Sequence, residues 1–130
     1  MIRISEAESR VMQVLWQHAP LDAEAIIRAL AEHNDWHEKT VKTLLNRLLR
    51  KGAIHAERDG RRYLYSPLLE RDDWQAEESR NLLERAFDGR LAPMLAHFTR
   101  HEKLDEQDLR ELRRLVEAIE RQHDDDKESP

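Results

Sequence analysis

The segment from Asp35 to Gly52, DWHEKTVKTLLNRLLRKG, constrains the fold most, because its apolar residues recur with the period of an α-helix. At about 100° per residue, one side of this helix collects Val41, Leu44, Leu45, Leu48 and Leu49. The other side collects Lys39, Lys42, Thr43, Asn46 and Arg50. A helix of this kind packs its leucines against other helices and leaves a polar side free, and Gly52 is suited to end it.

Two helical segments precede this stretch and a hairpin follows it. Ser5 with Glu8 three residues later predicts a capping box at the start of the first helix. Asp22 predicts the N-cap of the second helix. Asp59-Gly60 is a hairpin-turn signal between two short alternating segments. Three short helices followed by a two-stranded ribbon predict a winged helix-turn-helix.

The remainder of the chain is helical by its periodicity, with Asp105 as the N-cap of the last helix. We therefore predict a mainly α fold with a small β-hairpin. A winged-helix DNA-binding domain occupies residues 1–70, a helical dimerisation domain follows at 71–122, and the acidic tail at 123–130 is expected to be disordered.

Charge and composition restrict the partners. The net charge is -5, yet residues 39–62 contain eight cations and two acids, a local charge of +6 that can steer a polyanion to one face. The absence of cysteine excludes disulfides, thiolate catalysis and Cys-ligated zinc. No apolar run approaches the roughly 18 residues of a membrane span, and no secretory signal is recognisable, so a cytoplasmic protein without membrane insertion is expected.

The polar side of the third helix, at residues 37–51, predicts contact with double-stranded DNA. A helix fits the major groove, where lysine, asparagine and threonine recognise base edges, so base reading is expected from Lys39, Thr40, Lys42, Thr43 and Asn46. Phosphate contacts are expected from the cations at the helix end and hairpin tip, namely Arg47, Arg50, Lys51, Arg58, Arg61 and Arg62. The alternatives are a solvated face or a basic face that binds another protein.

The second half carries more apolar side chains than single helices need. One explanation is packing within one chain. The other, which we favour, is a two-fold homodimer, because one winged helix reads only a few base pairs. The residues expected to form the dimerisation surface are Trp74, Leu82, Phe87, Leu91, Leu95, Phe98, Leu112, Leu115, Val116 and Ile119.

Nothing in the sequence indicates an enzyme or a cofactor, because no nucleophile stands beside a base and the carboxylates lie in solvated runs. His97 and His101 have the i, i+4 spacing of a metal pair, but a third ligand is not evident. Surface or packing histidines are the default interpretation, and a metal-responsive regulator is the alternative.

The run W-x-x-K-T-V-K-T-L-L-x-R-L-x-x-K-G, from Trp36 to Gly52, resembles the penicillinase-repressor family that controls β-lactam resistance operons. The segments DGRRYLYSPL and SEAESRVMQVLWQHAP match the same family, and the resemblance extends over about residues 3–120. It implies a homodimeric repressor on a palindromic operator with TACA/TGTA-like half-sites. It also implies base reading at the start of the third helix, where Lys39, Thr40, Lys42 and Thr43 stand.

The resemblance further implies release from DNA by a membrane sensor-protease. The family's cut precedes a phenylalanine that follows asparagine, and the matching pair here is His97-Phe98, with histidine in place of asparagine. Where the family often has Ser-Pro before the third helix, this chain has His37-Glu38. Asp35 is therefore expected to cap that helix, with Glu38 closing a capping box.

Overall fold

The computed structural model describes residues 2–128. The first part of the chain contains α1 (Glu6–His18), α2 (Ala23–Ala31), α3 (Glu38–Lys51), β1 (Ile54–Asp59) and β2 (Arg62–Pro67). The remainder contains α4 (Arg71–Phe87), α5 (Leu91–His101) and α6 (Glu106–Glu128). This order confirms the predicted class, a mainly helical chain with one two-stranded antiparallel hairpin.

The first two helices begin where side chains satisfy their free amides. The Ser5 hydroxyl accepts from the Glu8 amide at 3.1 Å, and Glu8 Oε1 accepts from the Ser5 amide at 2.8 Å, which completes the expected capping box. At α2, Asp22 Oδ1 accepts from the Ala25 amide at 2.9 Å. Both predicted caps are confirmed.

The start of α3 differs from the prediction. His37, in extended backbone, is the N-cap, and its Nδ1 accepts from the Lys39 amide at 3.2 Å. The expected cap, Asp35, is wrong because it stands two residues before the N-cap, too early to reach the first free amides of a helix that begins at Glu38. The helix ends as predicted at Gly52, whose φ of 76° lies in the left-handed region.

The core lies among α1, α2, α3 and β1. The leucine side of α3 supplies the largest share of the buried core residues, and its Leu44, Leu45 and Leu48 are 4%, 2% and 0% exposed. The remaining buried apolar residues are Val11, Met12, Leu15, Ile26, Leu30, Val41, Ala53 and Ile54. Each buried leucine contributes about 1.5–3 kcal/mol relative to exposure, so the rotation of α3 about its axis is strongly determined.

The hairpin, or wing, is attached to the helices by backbone hydrogen bonds. Its strands pair from Ile54 with Pro67 to Asp59 with Arg62, and the turn contains Gly60 at a φ of 65°. Leu21, just before α2, forms an isolated bridge with Tyr65: the Tyr65 amide donates to the Leu21 carbonyl at 2.7 Å, and the reverse bond is 3.2 Å. The wing is thus held to the segment that leads into α2.

The chain divides into two compact units within α4, between Ser79 and Arg80, later than the boundary expected after residue 70. Trp74 belongs to the first unit, and its ring centroid lies 5.3 Å from that of Trp16. Trp74 was expected at the dimerisation surface, and that assignment stays a prediction.

In the second unit, none of the described residues is buried. Asp105 caps α6 as predicted, its Oδ1 accepting from the Asp108 amide at 2.7 Å. α6 continues through Glu128, so residues 123–128 are helical rather than disordered. Extending an existing helix avoids the cost of nucleation, which composition alone does not reveal. Residues 129 and 130 of the expected tail lie outside the described residues.

None of the helices within residues 2–128 is long and apolar enough to cross a bilayer.

Candidate nucleic-acid interface

The polar side of α3 is exposed as a continuous surface. The structure brings together all five side chains expected to read bases, since Lys39, Thr40, Lys42, Thr43 and Asn46 are each exposed. Their arrangement follows from the buried leucines on the opposite side of the helix. We call these five residues the α3 surface.

Two members of the α3 surface have partners within the helix. Lys42 Nζ lies 3.0 Å from Glu38 Oε1, and this hydrogen-bonded ion pair lowers the pKa of Glu38 below its ordinary value. Both side chains are more than half exposed, so solvent weakens the pair and Lys42 remains available to another acceptor. The Thr43 hydroxyl donates to the Lys39 carbonyl at 2.9 Å, so its proton is used inside the helix.

The cations at the end of α3 separate into two kinds. Arg47 and Arg50 are exposed, as a phosphate contact requires. Lys51 is engaged by the protein, because its Nζ lies 2.6 Å from Glu8 Oε1 and donates to the Arg3 carbonyl at 3.0 Å. Lys51 was expected to bind DNA phosphate; in the structure its ammonium is bonded to these two acceptors of the protein.

Glu8, the partner of Lys51, is 2% exposed. Burial raises its pKa, but the hydrogen bonds from Lys51 and Ser5 outweigh burial, and the net pKa lies below the ordinary value. Glu8 is therefore a charged carboxylate in the interior. Sequence reasoning identified its capping role but missed its pairing with Lys51, because no local pattern links residues so far apart along the chain.

The wing cations also differ in their engagement. Arg58 and Arg61 are exposed beside the turn, and Arg58 Nε donates to the Gly60 carbonyl at 3.2 Å. Arg62 lies 3.1 Å from Asp22 Oδ2 and 3.2 Å from Asp59 Oδ2. These carboxylates, Asp59 first, raise the pKa of Arg62. Arg62 was expected to bind the DNA backbone, and that expectation stays a prediction; its side chain also joins the wing to the start of α2.

The turn between α2 and α3 is organised by residues that sequence reasoning missed. Arg10 of α1 donates to Asn34 Oδ1, lies 3.1 Å from Glu6 Oε1, and stacks over the Trp36 ring at 5.8 Å from its centroid. Asn34 Nδ2 in turn donates to the Leu30 carbonyl at 3.1 Å. These contacts fix the path of the chain from α2 into α3.

The histidine pair of α5 is close but isolated. The ring centroids of His97 and His101 lie 4.8 Å apart, and the ring centroid of Phe87 lies 6.2 Å from that of His97. Among residues 2–128, no cluster of three or more His, Asp or Glu side chains has an arrangement that could hold a metal ion.

The family model described as penicillinase repressor matches residues 4–118 of the chain. The penicillinase repressor of Bacillus licheniformis is 32% identical over 115 residues, which cover 88% of this chain and 90% of that protein. The methicillin resistance regulatory protein MecI of Staphylococcus aureus is 31% identical over 113 residues, covering 87% of this chain and 92% of MecI.

Two solved structures resemble this chain. The DNA-binding domain of the repressor BlaI is 36% identical with a TM-score of 0.52, over 55% of this chain and 88% of that domain. The monomeric form of Bacillus licheniformis BlaI in complex with the blaP half-operator is also 36% identical, with a TM-score of 0.51, over 56% of this chain and 90% of that one.

The Asp22 carboxylate makes stability depend on pH. Its pKa lies below the ordinary value, chiefly because it accepts from the Ala25 amide and also because Arg62 bonds to it. A depressed pKa in the folded state stabilises the protein above the carboxyl's unfolded pKa, and this contribution is lost as pH falls through the folded pKa. Asp22→Asn keeps an amide oxygen for Ala25 but removes the titration. We expect the variant to be less stable at neutral pH and to lose less stability on acidification.

Urea unfolding followed by circular dichroism, from about pH 7 to about pH 3, measures this difference. Asp35→Asn, at an exposed aspartate before α3, is the matched control and should follow the wild type. Equal acid losses in the wild type and Asp22→Asn would contradict the assigned role of Asp22.

Proposed function

Because the chain belongs to the penicillinase repressor family, whose members are DNA-binding repressors rather than enzymes, we propose that it acts as a homodimer on a palindromic operator with TACA/TGTA-like half-sites. The observation that carries this proposal is the α3 surface, a row of donors and cations exposed along a helix whose other side is buried. The complex of the relative BlaI with the blaP half-operator supports the binding of DNA by a chain of this kind.

Within this proposal, the α3 surface enters the major groove. Lysine donates to guanine O6 and N7, asparagine pairs with adenine, and the threonine methyl contacts the thymine methyl. On binding, Lys42 leaves its ion pair with Glu38 and donates a hydrogen bond to a base. The ion pair is exposed to solvent and therefore weak, so its loss costs little. Arg47 and Arg50 on α3, with Arg58 and Arg61 at the wing tip, hold phosphates and set the register.

Two substitutions on α3 separate base reading from phosphate binding. Lys42→Ala removes a donor to a base, so we expect the ratio of operator to non-specific affinity to fall by roughly 5- to 100-fold. Arg50→Ala removes one charge near the backbone. Arg50→Ala should weaken binding to all duplexes alike, and it should reduce the slope of log affinity against log salt by about 0.9 per chain. Titrations of operator and scrambled duplexes across a salt series measure both quantities.

The wild type and His33→Ala, at an exposed position in the turn after α2, serve as references. If Lys42→Ala retained the full preference for the operator, the assignment of base reading to this part of α3 would be wrong.

The dimer proposal rests on the second unit. Leu109, Leu115, Val116 and Ile119 form an exposed apolar stripe along α6, each 43–55% exposed. A unit of about fifty residues in which none of the described residues, 80–128, is buried lacks the core that independent folding needs. A second copy of the chain supplies the missing surface and places two α3 helices about 34 Å apart, or a multiple of it, for a two-fold operator.

A groove of about 400 Å³ lies along this surface. It is lined by Leu95 and Phe98 of α5, by Leu104, and by Leu112 and Leu115 of α6, with Asp108 and Glu111 at its edge. Its apolar walls suit a helix stripe of the same composition, which a two-fold partner presents by symmetry.

Ile119→Arg places a charge in the proposed dimer surface, and we expect it to shift the protein to monomer at micromolar concentration because the buried charge would lack a partner. Ala118→Arg makes the same charge change one residue away, outside the stripe, and should remain dimeric. Sedimentation equilibrium measures the mass, and operator titration should show a matching loss for Ile119→Arg alone. A monomeric wild type, or an Ile119→Arg dimer of unchanged affinity, would contradict this surface.

Release from the operator is proposed to follow a β-lactam signal relayed by a membrane sensor-protease that cuts between His97 and Phe98. Both residues are exposed within α5, and Phe98 is 49% exposed. A cut here separates α6 and its apolar stripe from the α3 surface. The two DNA contacts then no longer belong to one molecule, so the gain from binding both half-sites together is lost.

In host cells treated with a β-lactam, we expect a fragment that ends at His97 to accumulate while the operator is released. Phe98→Ala should reduce this fragment, because the family's cut precedes a phenylalanine and this variant removes it. His101→Asn, one turn further along α5, should leave it unchanged. Intact-mass measurement of the tagged chain identifies the cut. Induction of transcription with the chain uncut would show that release occurs by another route.

A further inference from the structure

Lys51 is the last residue of α3, and its ammonium points back to the protein rather than outward. Glu8 Oε1 accepts two hydrogen bonds, one from this ammonium at 2.6 Å and one from the Ser5 amide at 2.8 Å. Lys51 donates its second hydrogen bond to the Arg3 carbonyl, at 3.0 Å. One cation therefore joins the end of α3 to the chain that starts α1.

The pairing is strongly constrained because Glu8 is almost completely buried. Its second oxygen, Oε2, is buried and has no hydrogen-bond donor among residues 2–128, so Lys51 is the charge that compensates the carboxylate. A buried carboxylate that loses its cation is costly, so the two side chains hold each other in one geometry. An exposed pair such as Lys42 with Glu38 imposes no comparable constraint.

The geometry of α3 makes its end important for the α3 surface. From Lys51 back to Lys39, the helix spans about 18 Å at about 1.5 Å per residue. A tilt of about 3° at the Lys51 end would move the Lys39 end by about 1 Å, beyond the roughly 0.5 Å within which a recognition group must be held. The buried leucines fix the rotation of α3, whereas a contact at its end fixes its tilt.

We propose that Lys51 is a positioning residue for DNA recognition: its ion pair with Glu8 sets the tilt of α3, and Lys51 itself contacts no phosphate. This inference rests on the proposed function of α3 as the base-reading helix. It assigns to Glu8, a capping residue on a different helix, an indirect part in sequence specificity.

Substitutions at both ends of the pair test the proposal. Lys51→Met keeps the length of the side chain and removes the charge, and Lys51→Arg retains the charge. Glu8→Gln keeps an acceptor for Ser5 and removes the carboxylate. We expect Lys51→Met and Glu8→Gln to weaken operator binding roughly tenfold, with little change for a scrambled duplex. Lys51→Arg should recover most of the loss, and the double variant should lose no more than one single variant because the two residues act as one pair.

The salt dependence of binding separates positioning from phosphate contact. If Lys51 only positions α3, the salt slope of Lys51→Met should equal that of the wild type, whereas Arg50→Met, at the neighbouring residue, should lower the slope by about 0.9 per chain. Glu32→Gln, at an exposed position after α2, controls for the change in net charge of Glu8→Gln. Thermal unfolding of each variant sets a temperature at which all are folded.

Three results would overturn the proposal. A lower salt slope for Lys51→Met, with Glu8→Gln binding more tightly than Glu32→Gln, would make Lys51 a phosphate contact. Folded variants with wild-type operator affinity would leave the pair a purely stabilising role. A wild type that ignores the operator at low salt would refute the proposed function itself, which distinguishes that failure from the other two.

Discussion

The burial of the leucine side of α3 is the constraint on which the rest of the first unit depends. Leu44, Leu45 and Leu48 are all but inaccessible to solvent, and rotating the helix would expose them while burying lysine and asparagine without partners. Both changes are unfavourable, so α3 has one favourable orientation about its axis. The exposure of Lys42 and Asn46 is thus a consequence of packing on α1 and α2, and the surface that meets DNA in our proposal is determined by the core.

Local features of this fold were predictable because short-range chemistry determines them. Ser5 with Glu8, Asp22 and Gly52 each act within four residues of their own position, and the structure confirms all of these. Helical periodicity also placed the α3 surface correctly on the exposed side. Whether that surface reads bases remains a prediction, because exposure alone does not distinguish a DNA contact from a solvated face.

The features that sequence reasoning missed depend on contacts between distant residues. Lys51 meets Glu8 across 43 positions, and Trp16 meets Trp74 across the whole winged helix. Arg62 meets Asp22 across 40 positions. No periodic pattern encodes such pairs, because periodicity reports which side of an element faces inward and not which residue it meets there. The N-cap at His37 was missed for another reason: histidine caps a helix only when Nδ1 is an acceptor, which its residue type does not reveal.

These distant contacts also change the meaning of the charge pattern. Residues 39–62 carry a formal +6, but Lys51 and Arg62 neutralise Glu8 and Asp22, which lie outside that range. Including these two carboxylates reduces the local charge to +4. Two of the eight cations therefore serve the attachment of α3 and of the wing to the helices. An acidic chain of net charge -5 thus uses part of its basic segment to hold the recognition elements in place, and the proposed affinity for DNA depends more on their geometry than the charge count indicates.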